Sequence, residues 1–445
     1  MDRESVEAQH SAAIDHVTDA RTAPRPSGMR VGAVAAVLLA QLVISIALIT
    51  PSTYTLAIWL NGAFPANRDS LLALAIGASN VVSMVVGPIV GGLSDHTRSK
   101  WGPRRTWLVA GIAVGTLGSA VLVWASTPVQ LVMGWCVAAI GYGVANSMVL
   151  THLSDRLALS QRGLVLGISS AVVYLGPVAG VLIVGAVSTT RPLMFAVPGI
   201  AVVIGGGLLA ALMTDPPLPV SAPRLHIRRV LNSFWFDPRR YPRFGWVWLN
   251  RGAFFLGVSF MTLYSVFFLS TQVGLDAAEI AATVSIAGVI GVVVSTAAGT
   301  IGGALSDRTS SRLPFLVVSI LLLCGGLLVI ATATDVVQYL IGNAINAVAM
   351  GVYSAVSQAL QFDELPIDDV QNGRYLAVLG LATQIPSAIG PFLASAVLAL
   401  TDRQYSLMYV SAAALMAASL LALIPLRRRA QFTARTSTPD PQRNA

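Results

Sequence analysis

The sequence is short of charge. Only 11% of its 445 residues are Asp, Glu, Lys or Arg, whereas 55% are hydrophobic. Soluble domains usually carry roughly a quarter charged residues, so a water-soluble fold of this length would lack polar surface. The apolar exterior therefore requires lipid as its solvent. The 39 glycines fit that environment, because small residues let transmembrane helices approach closely.

Cysteine is also scarce, and Cys136 and Cys324 each lie inside an apolar run. Neither has the spacing of a metal site or a partner in an exposed loop, so we predict no disulfide framework, no metal and no cofactor. The sequence has no P-loop, no His-Glu-x-x-His and no Gly-x-Ser-x-Gly motif. These absences argue against a primary pump and against an enzyme.

The net charge of +8 does not indicate a nucleic-acid partner. The basic residues are scattered singly through short connections between apolar runs, so no continuous basic face exists to follow a phosphate backbone. The sequence instead predicts a lipid bilayer as the surrounding partner and a small molecule as the substrate. We expect the chain to be monomeric.

Twelve apolar runs are long enough to cross a membrane, which takes about 20 residues as a helix. The sequence thus predicts an all-α polytopic membrane protein. The predicted spans are residues 31–52, 71–93, 106–126, 128–151, 163–187, 192–213, 244–269, 277–304, 313–333, 335–360, 374–399 and 404–426.

The positive residues predict the orientation of these spans. Arg68, Arg191 and Arg403 fall in loops on one side and Arg251 lies within a span, while the rest of the 28 Lys and Arg residues fall on the other side. Because cytoplasmic loops carry the excess of positive charge, we expect both termini in the cytoplasm of a cell with an inner (plasma) membrane.

The spacing of the spans also predicts the domains. We expect a disordered N-terminal tail over residues 1–30, rather than a signal peptide, and a first six-helix bundle over 31–213. A cytoplasmic linker over 214–243, a second six-helix bundle over 244–426 and a C-terminal tail over 427–445 complete the chain.

An internal repeat relates the two bundles. Residues 86–100 (VGPIVGGLSDHTRSK) align without a gap on residues 298–312 (AGTIGGALSDRTSSR), and eight of the fifteen positions are identical. Both segments follow the second span of a bundle. The repeat predicts two bundles related by an axis along the membrane normal, with a solute path between them near the bilayer midplane.

The repeated loop resembles the loop 2–3 signature of the major facilitator superfamily. Residues 91–99 read GGLSDHTRS, and Gly102, Pro103, Arg104 and Arg105 follow. This wording is most similar to the glycoside–pentoside–hexuronide and sucrose symporter branches, from which it departs at His96 and Pro103. The resemblance extends over the whole twelve-span plan and implies the major facilitator fold, with secondary or facilitative transport of a small solute by alternating access.

Charged residues of the two loops are candidates for a gate. We expect Asp95 and Asp307 to face the N-termini of the opposite bundle, at Asn372 and Gly373 and at Arg162 and Gly163, where a carboxylate is stabilised by about 0.3–1 kcal/mol. Arg98, Arg104 and Arg105 can pair with Asp155, and Arg308 and Arg312 with Asp363 or Glu364. Gly91 and Gly92, with Gly302 and Gly303, would allow close helix approach. The alternative is that these charges only enforce topology.

Polar residues at mid-depth are candidates for the solute site, because such groups are costly in lipid unless they face a cavity or a partner. Amides and phenols suit an uncharged polyol or glycoside, which needs donors and acceptors. The alternative for each is a packing bond between helices. The candidates are Gln41, Asn80, Asn146, Tyr174, Tyr264, Asn343, Asn346, Tyr353 and Gln384. Arg251 either extends its charge to the membrane surface or binds an anionic substrate.

Coupling and direction stay open at this level. No Asp or Glu lies at mid-depth in a predicted span, so a coupling proton or sodium ion would use peripheral groups such as Asp69. Gly176, Pro177 and Gly180 match a Gly-Pro-x-x-Gly pattern of efflux members, which makes a drug or metabolite antiporter the alternative to sugar uptake. A membrane sensor or scaffold on the same fold is the alternative outside transport.

Overall fold

The computed structural model describes residues 29–186, 191–215, 236–309, 311–364 and 372–426, and within these ranges the chain is helical. We number the helices in chain order. They are α1 Val31–Ala63, α2 Arg68–His96, α3 Pro103–Trp124, α4 Pro128–Arg156, α5 Leu159–Ala186, α6 Arg191–Leu212, α7 Pro242–Leu263 with its continuation Ser265–Val273, α8 Ala277–Arg308, α9 Leu313–Ala331, α10 Val336–Asp363, α11 Asn372–Leu400 and α12 Tyr405–Leu426.

The twelve predicted spans are confirmed as helices. Eleven are long and apolar enough to cross a membrane, and the twelfth is α7 with its continuation, which bend by 44° at the break. The predicted tails and most of the predicted linker lie outside the described residues, at 1–28, 216–235 and 427–445.

Several helices are longer than predicted. Helix α2 has 29 residues, whereas the hydropathy predicted only residues 71–93. At 1.5 Å per residue this helix measures roughly 44 Å, which exceeds the hydrocarbon thickness of about 30 Å. Its ends therefore reach the polar interface, and they carry Asp69 at one end and Asp95 at the other. We call these two ends of the bundle the Asp69 end and the motif end.

Glycine determines how closely α3 and α4 pack. A Cβ at Gly118 would clash with the backbone of Ala138, and one at Gly134 would touch Leu122 at 3.1 Å. In the second half, Gly326 packs against Gly342 in the same way, where a Cβ would lie 3.0 Å from the Gly342 carbonyl oxygen. The internal repeat thus extends from the loop sequence to the helix pair that follows it.

The Gly-Pro pairs pack in a similar manner. Gly176 of α5 lies against Ser45 of α1, where an added Cβ would come within 2.9 Å of the serine Cβ. Gly390 of α11 lies against Ser259 of α7, with the serine hydroxyl 2.9 Å from the Cβ position. Pro177 and Pro391 follow inside continuous helices. Both glycines therefore permit close packing of the first and fifth helix of a half.

The first helix of each half is irregular toward the Asp69 end. Helix α1 contains a π-helical turn over Pro51–Thr55, where Pro51 has no backbone N–H to continue the ordinary ladder. Helix α7 breaks at Tyr264, between Pro242–Leu263 and Ser265–Phe268. Such interruptions of an α-helix commonly accompany functional sites.

The two halves meet through α2 with α11 and through α5 with α8. Asn80 of α2 donates a hydrogen bond of 2.7 Å to the Ser387 carbonyl of α11. Tyr54 of α1 donates one of 2.8 Å to the Ala277 carbonyl at the start of α8. Asn61 donates to the Ser270 hydroxyl at 3.2 Å. The last two contacts lie near the Asp69 end, and the Asn80 contact lies in the middle of α2.

Candidate functional site

The first ionic cluster lies at the motif end of α2, α3 and α4. Arg104, at the start of α3, holds Asp95 with its Nη1 at 2.6 Å and Asp155 with its Nε at 3.4 Å. The same Nη1 donates a hydrogen bond of 2.8 Å to the Ser94 hydroxyl. One mostly buried guanidinium thus joins the ends of three helices.

The second half contains the same cluster built from the equivalent atoms. Arg312 pairs with Asp307 through Nη1 and with Asp363 through Nε, at 3.2 Å for the latter. Its Nη1 also donates to the Ser306 hydroxyl at 3.2 Å. Hydrogen bonding to Asp307, and then to Asp363, raises the pKa of the Arg312 guanidinium above its ordinary value.

Glu364 and Arg105 have partners other than the predicted ones in this structure, whereas Arg312 pairs with Asp363, one of its two predicted partners. Glu364 is the residue after the last turn of α10, and it binds Arg243 at the start of α7 at 2.8 Å and 2.9 Å instead of Arg308 or Arg312. Arg105 makes no ion pair with Asp155 among the described residues, because its guanidinium lies over the Trp101 ring at 5.8 Å. The Arg105 backbone N–H donates to Asp215 at 2.9 Å.

The remaining predictions for the motif end concern Arg308, Arg98 and the two helix N-termini that Asp95 and Asp307 are expected to face. Arg308 is exposed and has no ion pair with Asp363 or Glu364 within the described ranges. Arg98 is exposed, and no ion pair to Asp155 is present for it among the pairs of described residues. The side chains of Arg162, Gly163, Asn372 and Gly373 lie outside the described set, so the pairing of Asp95 and Asp307 with those N-termini stays a prediction.

The two motif glycines do not serve close packing in this structure. Nothing lies within 4 Å of the Cβ position of Gly91, which instead borders a cavity. A Cβ at Gly303 would meet Ala355 at an ordinary 3.6 Å. The predicted close approach is therefore absent at Gly91 and Gly303 among the described residues, but it is present at Gly302, where a Cβ would lie 2.9 Å from the Val352 side chain.

A third cluster closes the Asp69 end across the two halves. The Asp69 carboxylate, on α2, accepts a hydrogen bond of 2.7 Å from the Tyr405 hydroxyl and lies 3.0 Å from Nε of Arg403. The Tyr264 hydroxyl donates to the Asp69 backbone carbonyl at 3.1 Å. Arg68 donates to the Tyr405 hydroxyl at 3.1 Å. Asp69 and Arg68 belong to the first half, and the other three residues belong to the second.

The sequence alone does not predict this cluster, because in the sequence Arg68 and Arg403 are only loop charges and Asp69 is only a peripheral group. One signal was available, since an Arg-Asp pair opens span 2 and a further arginine precedes span 12, which leaves opposite charges at one end of the bundle. By contrast, no ion pair joins the two halves at the motif end in the part of the chain that the structure describes.

Two cavities lie between the halves. The first, of about 480 Å³, is bordered by α2, α4 and α11, and its polar wall includes Asn80, Ser147 and Gln384. The second, of about 820 Å³, is bordered mainly by α5, α8 and α10, and its polar wall includes Tyr174, Asn343 and Asn346. No charged side chain of a described residue lines either cavity.

Five of the predicted solute residues line these cavities, namely Asn80, Tyr174, Asn343, Asn346 and Gln384. Tyr174 is 66% exposed, so its phenol is available to a ligand. Asn346 is buried, and its Oδ1 has no hydrogen-bond partner within the described residues. That oxygen is enclosed against Gly326 of α9, so only the remainder of the Asn346 side chain borders the cavity.

Three others are used in packing, and their placement in the solute site is wrong for this structure. Gln41 is buried and accepts a hydrogen bond from the Ser169 hydroxyl. Tyr353 stacks on Phe254 with ring centroids 3.5 Å apart, and its hydroxyl donates to Asn250 at 3.1 Å. Tyr264 belongs to the cluster at the Asp69 end.

The last two candidates take intermediate positions. Asn146 is half-buried and lines neither cavity. Arg251 donates from Nε to the Thr383 hydroxyl at 3.0 Å, with its guanidinium 5.0 Å from the Phe255 ring. The arginine therefore bridges α7 and α11 rather than extending to the membrane surface, and Thr383 itself borders the smaller cavity.

Comparison with known proteins agrees with this architecture. The sequence profile of the Major Facilitator Superfamily matches residues 33–302 and 292–443. No curated protein matches this sequence significantly.

Solved structures with the same fold are several and distant in sequence. A variant of the nucleoside transporter NupG has a TM-score of 0.74 at 10% identity, over 88% of this chain and 99% of that one. A bacterial homolog to the human lysosomal transporter Spinster, in an inward-facing and unoccupied conformation, has a TM-score of 0.67 at 15% identity, over 89% of this chain and 96% of that one. A D-xylose-proton symporter has a TM-score of 0.63 at 16% identity, over 86% of this chain and 96% of that one.

The helices, the internal repeat and the match to the family profile together identify this protein as a transporter rather than an enzyme. The chain belongs to the major facilitator superfamily, and its function is the transport of a small solute across a membrane by alternating access.

Proposed function

We propose that this transporter carries an uncharged, hydroxyl-rich solute, a sugar or a glycoside, across the inner (plasma) membrane of a cell. The observation that carries the proposal is the lining of the two cavities, where amides and hydroxyls are present and charged side chains of described residues are not. Amides offer donors and acceptors together, as a polyol needs. The sequence motif of the loop, residues 91–105, supports the glycoside–pentoside–hexuronide or sucrose branch.

The nucleoside and D-xylose transporters of the same fold carry polyhydroxylated solutes, as their names state. Their low identity to this chain supports only the fold, so the substrate class rests on the cavity lining.

We further propose that the motif end faces the cytoplasm and that the structure is inward-facing. The excess of Lys and Arg in the loops of that end supports this orientation, in which both termini would lie in the cytoplasm. The closed cluster at Asp69 supports the conformation. In this proposal residues 31–213 and 244–426 are two bundles, joined by a linker over 214–243, that move relative to each other in a monomer.

The two arginine clusters are proposed as parts of the gate at the motif end. In the inward-facing arrangement Asp95 and Asp307 are held by arginines of their own half. When the motif end closes, each carboxylate is expected to approach the opposite half. Asp95→Asn and Asp307→Asn variants should therefore lose transport at normal surface levels, and normal transport would contradict the gating role.

Coupling to a proton or sodium ion is proposed to involve Asp69. Asp69 is the only carboxylate whose residue is buried among those that the structure describes, at 5% exposure. The Asp69 carboxylate can exchange its partners Arg403 and Tyr405 for an ion only if the Asp69 end opens. This requirement links ion binding to the conformational change.

A second candidate function, efflux of an apolar cation or metabolite, is favoured by one observation. The larger cavity has an extensive apolar wall that includes Pro177, Val178, Met261 and Met350. Methionine-rich walls adapt to varied apolar ligands. The two candidates differ in ligand and can be separated by binding.

The test is ligand-dependent stabilisation of the purified protein in detergent, measured as melting temperature against sugars, glycosides and hydrophobic cations. A ligand that binds only the folded state raises stability with its concentration. We expect a saturable shift with a glycoside that is lost in Gln384→Ala or Asn346→Ala. Asn146→Ala is the matched control, because this amide lines neither cavity. A shift with hydrophobic cations alone would assign the protein to efflux.

A further inference from the structure

A separate polar cavity lies at the Asp69 end, away from the two cavities between the halves. Its volume is about 460 Å³, and its wall is formed by two arginines, Arg68 and Arg403, together with Thr271, Gln272, Gln404 and Ser406. The Tyr405 ring completes it. Among the described residues, this lining contains no aliphatic side chain and no carboxylate, which distinguishes it from the surfaces that contact lipid.

The charges beside this cavity do not balance. Arg68 and Arg403 both face one carboxylate, Asp69, whose side chain is 7% exposed. Asp402 is exposed, and no ion pair connects it with either arginine within the described residues. The cluster therefore carries one excess positive charge in a partly buried position, where an uncompensated charge is costly.

The hydrogen-bonding capacity of the cluster is not used up by the protein. The Arg68 Nε is enclosed by the protein 4.0 Å from Asp69 Oδ1, so the protons open to a ligand are those on Nη1 and Nη2. Arg68 uses Nη1 for the Asn61 side chain and Nη2 for the Tyr405 hydroxyl, which leaves further guanidinium protons. Arg403 similarly binds the carbonyls of Pro65 and Ala66 and keeps donors in reserve.

The backbone near the cavity adds to the positive potential. Helix α12 begins at Tyr405, and Gln404 at its N-cap makes no side-chain capping bond. The N–H groups of its first turn and the positive end of the helix dipole therefore lie where Gln404, Tyr405 and Ser406 border the cavity. Helix N-termini of this kind favour anions.

The loop that delivers Arg403 is strained. Asp402 and Arg403 have φ angles of 49° and 60°, and they are the only residues other than glycine with positive φ in the described ranges. Non-glycine residues in this region persist where the surrounding structure enforces them, commonly at binding sites. Here the residue with this conformation, Arg403, lies 3.0 Å from Asp69 and borders the cavity.

We propose that this cavity binds a small oxyanion, a carboxylate or phosphate group, between Arg68 of the first half and Arg403 with the start of α12 in the second. The anion supplies the second negative charge that the two arginines require. Because its ligands come from both halves, it binds the closed Asp69 end more tightly than the open one, and it stabilises this conformation. The site does not depend on the identity of the solute in the central cavities.

The test uses Ser406, which borders the cavity at the second position of α12 and makes no contact with Asp69 among the described contacts. In Ser406→Asp a resident carboxylate takes the place of the anion. Ser406→Asn is the matched control, because asparagine has the same shape without the charge. Melting temperature is measured against sodium phosphate and sodium acetate at constant ionic strength, with sodium chloride as the reference salt.

We expect a saturable rise in melting temperature with phosphate or acetate for the wild-type chain and for Ser406→Asn. Ser406→Asp should begin from a higher melting temperature and need at least tenfold more anion for the same shift. A response to phosphate alone identifies free phosphate as the ligand, and a response to acetate identifies carboxylate-bearing solutes. No saturable response in the wild-type chain, or the same response in both variants, overturns the proposal, since salts stabilise proteins non-specifically.

A second measurement does not depend on the folding of Ser406→Asp. Val129 and Val337 are exposed at the starts of α4 and α10, one in each half at the Asp69 end. Spin labels at Val129→Cys and Val337→Cys, with Cys136 and Cys324 replaced by alanine, report their separation. Phosphate or acetate should increase the short-distance population. An unchanged distribution in the presence of either anion contradicts the site, whereas failure of the glycoside screen concerns only Asn346 and Gln384.

Discussion

Arg104 and Arg312 bind equivalent groups with the same atoms. In each half Nε faces the aspartate at the end of the fourth helix, at 3.4 Å for Asp155 and 3.2 Å for Asp363. In each half Nη1 holds the aspartate of the loop motif together with the serine before it. The two halves therefore share a three-dimensional cluster, although the gapless alignment of the loops places Arg312 opposite Lys100 and not opposite Arg104.

Removing either arginine should have nearly the same effect. In Arg104→Gln or Arg312→Gln, two aspartates lose their shared cation. Because these aspartates are half-exposed, each variant is expected to lose only about 1 kcal/mol of its free energy of unfolding. The melting temperature should fall by roughly 1–3 °C in each variant. The double variant should show the sum of the two shifts, because the clusters share no partner.

Arg105→Gln is the control for this pair, since Arg105 uses its backbone N–H for Asp215. Its melting temperature should stay near that of the wild-type chain. A large shift in only one of the two arginine variants would show that the clusters are not equivalent.

Asp69→Asn should open the Asp69 end. The substitution removes the charge that Arg403 faces at 3.0 Å and weakens the acceptor of the Tyr405 hydroxyl. Although Arg403 is partly exposed, hydrogen bonds to a charged group such as the buried Asp69 carboxylate contribute about 1.5–3 kcal/mol, which corresponds to a shift of about tenfold or more between conformations. Spin labels at positions 129 and 337 should show a longer distance.

Glu279→Gln provides the comparison for Asp69→Asn, because this exposed carboxylate at the same end only caps α8. Its distance distribution should match that of the wild-type chain. If Asp69→Asn also leaves the distribution unchanged, the cluster does not hold the end closed.

Gly118→Ala should destabilise the fold more than Gly326→Ala. The added methyl group clashes with the backbone of Ala138 in the first case, whereas in the second it meets mainly the movable side chain of Asn346, with the Gly342 carbonyl oxygen at 3.0 Å. Overpacking of this kind costs about 1–3 kcal/mol. The measurement is the melting temperature in detergent, with Gly207→Ala as the control, because nothing lies within 4 Å of that Cβ position. Equal melting temperatures for all three variants would contradict the packing.

Glu364→Gln should cost more stability than Asp363→Asn. The Glu364 side chain is 14% exposed and binds Arg243 through Nε and Nη2, whereas the Asp363 side chain is 52% exposed. Hydrogen bonds to charged groups contribute about 1.5–3 kcal/mol. Chemical denaturation of the two variants under identical conditions measures the difference, and the reverse order would show that the Arg243 contact is unimportant.

The amino-acid sequence is sufficient to predict the helices and the repeat, because hydropathy reports depth in the bilayer. The alignment of residues 86–100 with residues 298–312 predicts two equivalent loops from eight identical positions. The predicted helices are too short at their ends. Helix α2, for example, continues into the polar interface, where residues such as Asp69 and His96 are too polar for a hydropathy scan to include them. Hydropathy measures the apolar core and not the full helix.

The solute site was harder to predict, because depth does not determine the direction in which a side chain points. Gln41 and Tyr353 have suitable depth, yet each faces a neighbouring helix of its own half. Asn80 and Gln384 have similar depth and reach a cavity. The partners of Asp69 were missed for another reason, as Tyr264 and Arg403 are far away in the sequence and no local pattern connects them.

The interruptions at Pro51–Thr55 in α1 and at Tyr264 in α7 have a mechanical consequence. Each leaves a short helical tip beyond it, Leu56–Ala63 in the first half and Ser265–Val273 in the second, and both tips border the closed end. A short helical segment beyond such an interruption can change its angle while the longer part of the helix stays packed. The Asp69 end is thus expected to open partly by bending of α1 and α7 at these interruptions, so that not every contact along the two helices has to break at once.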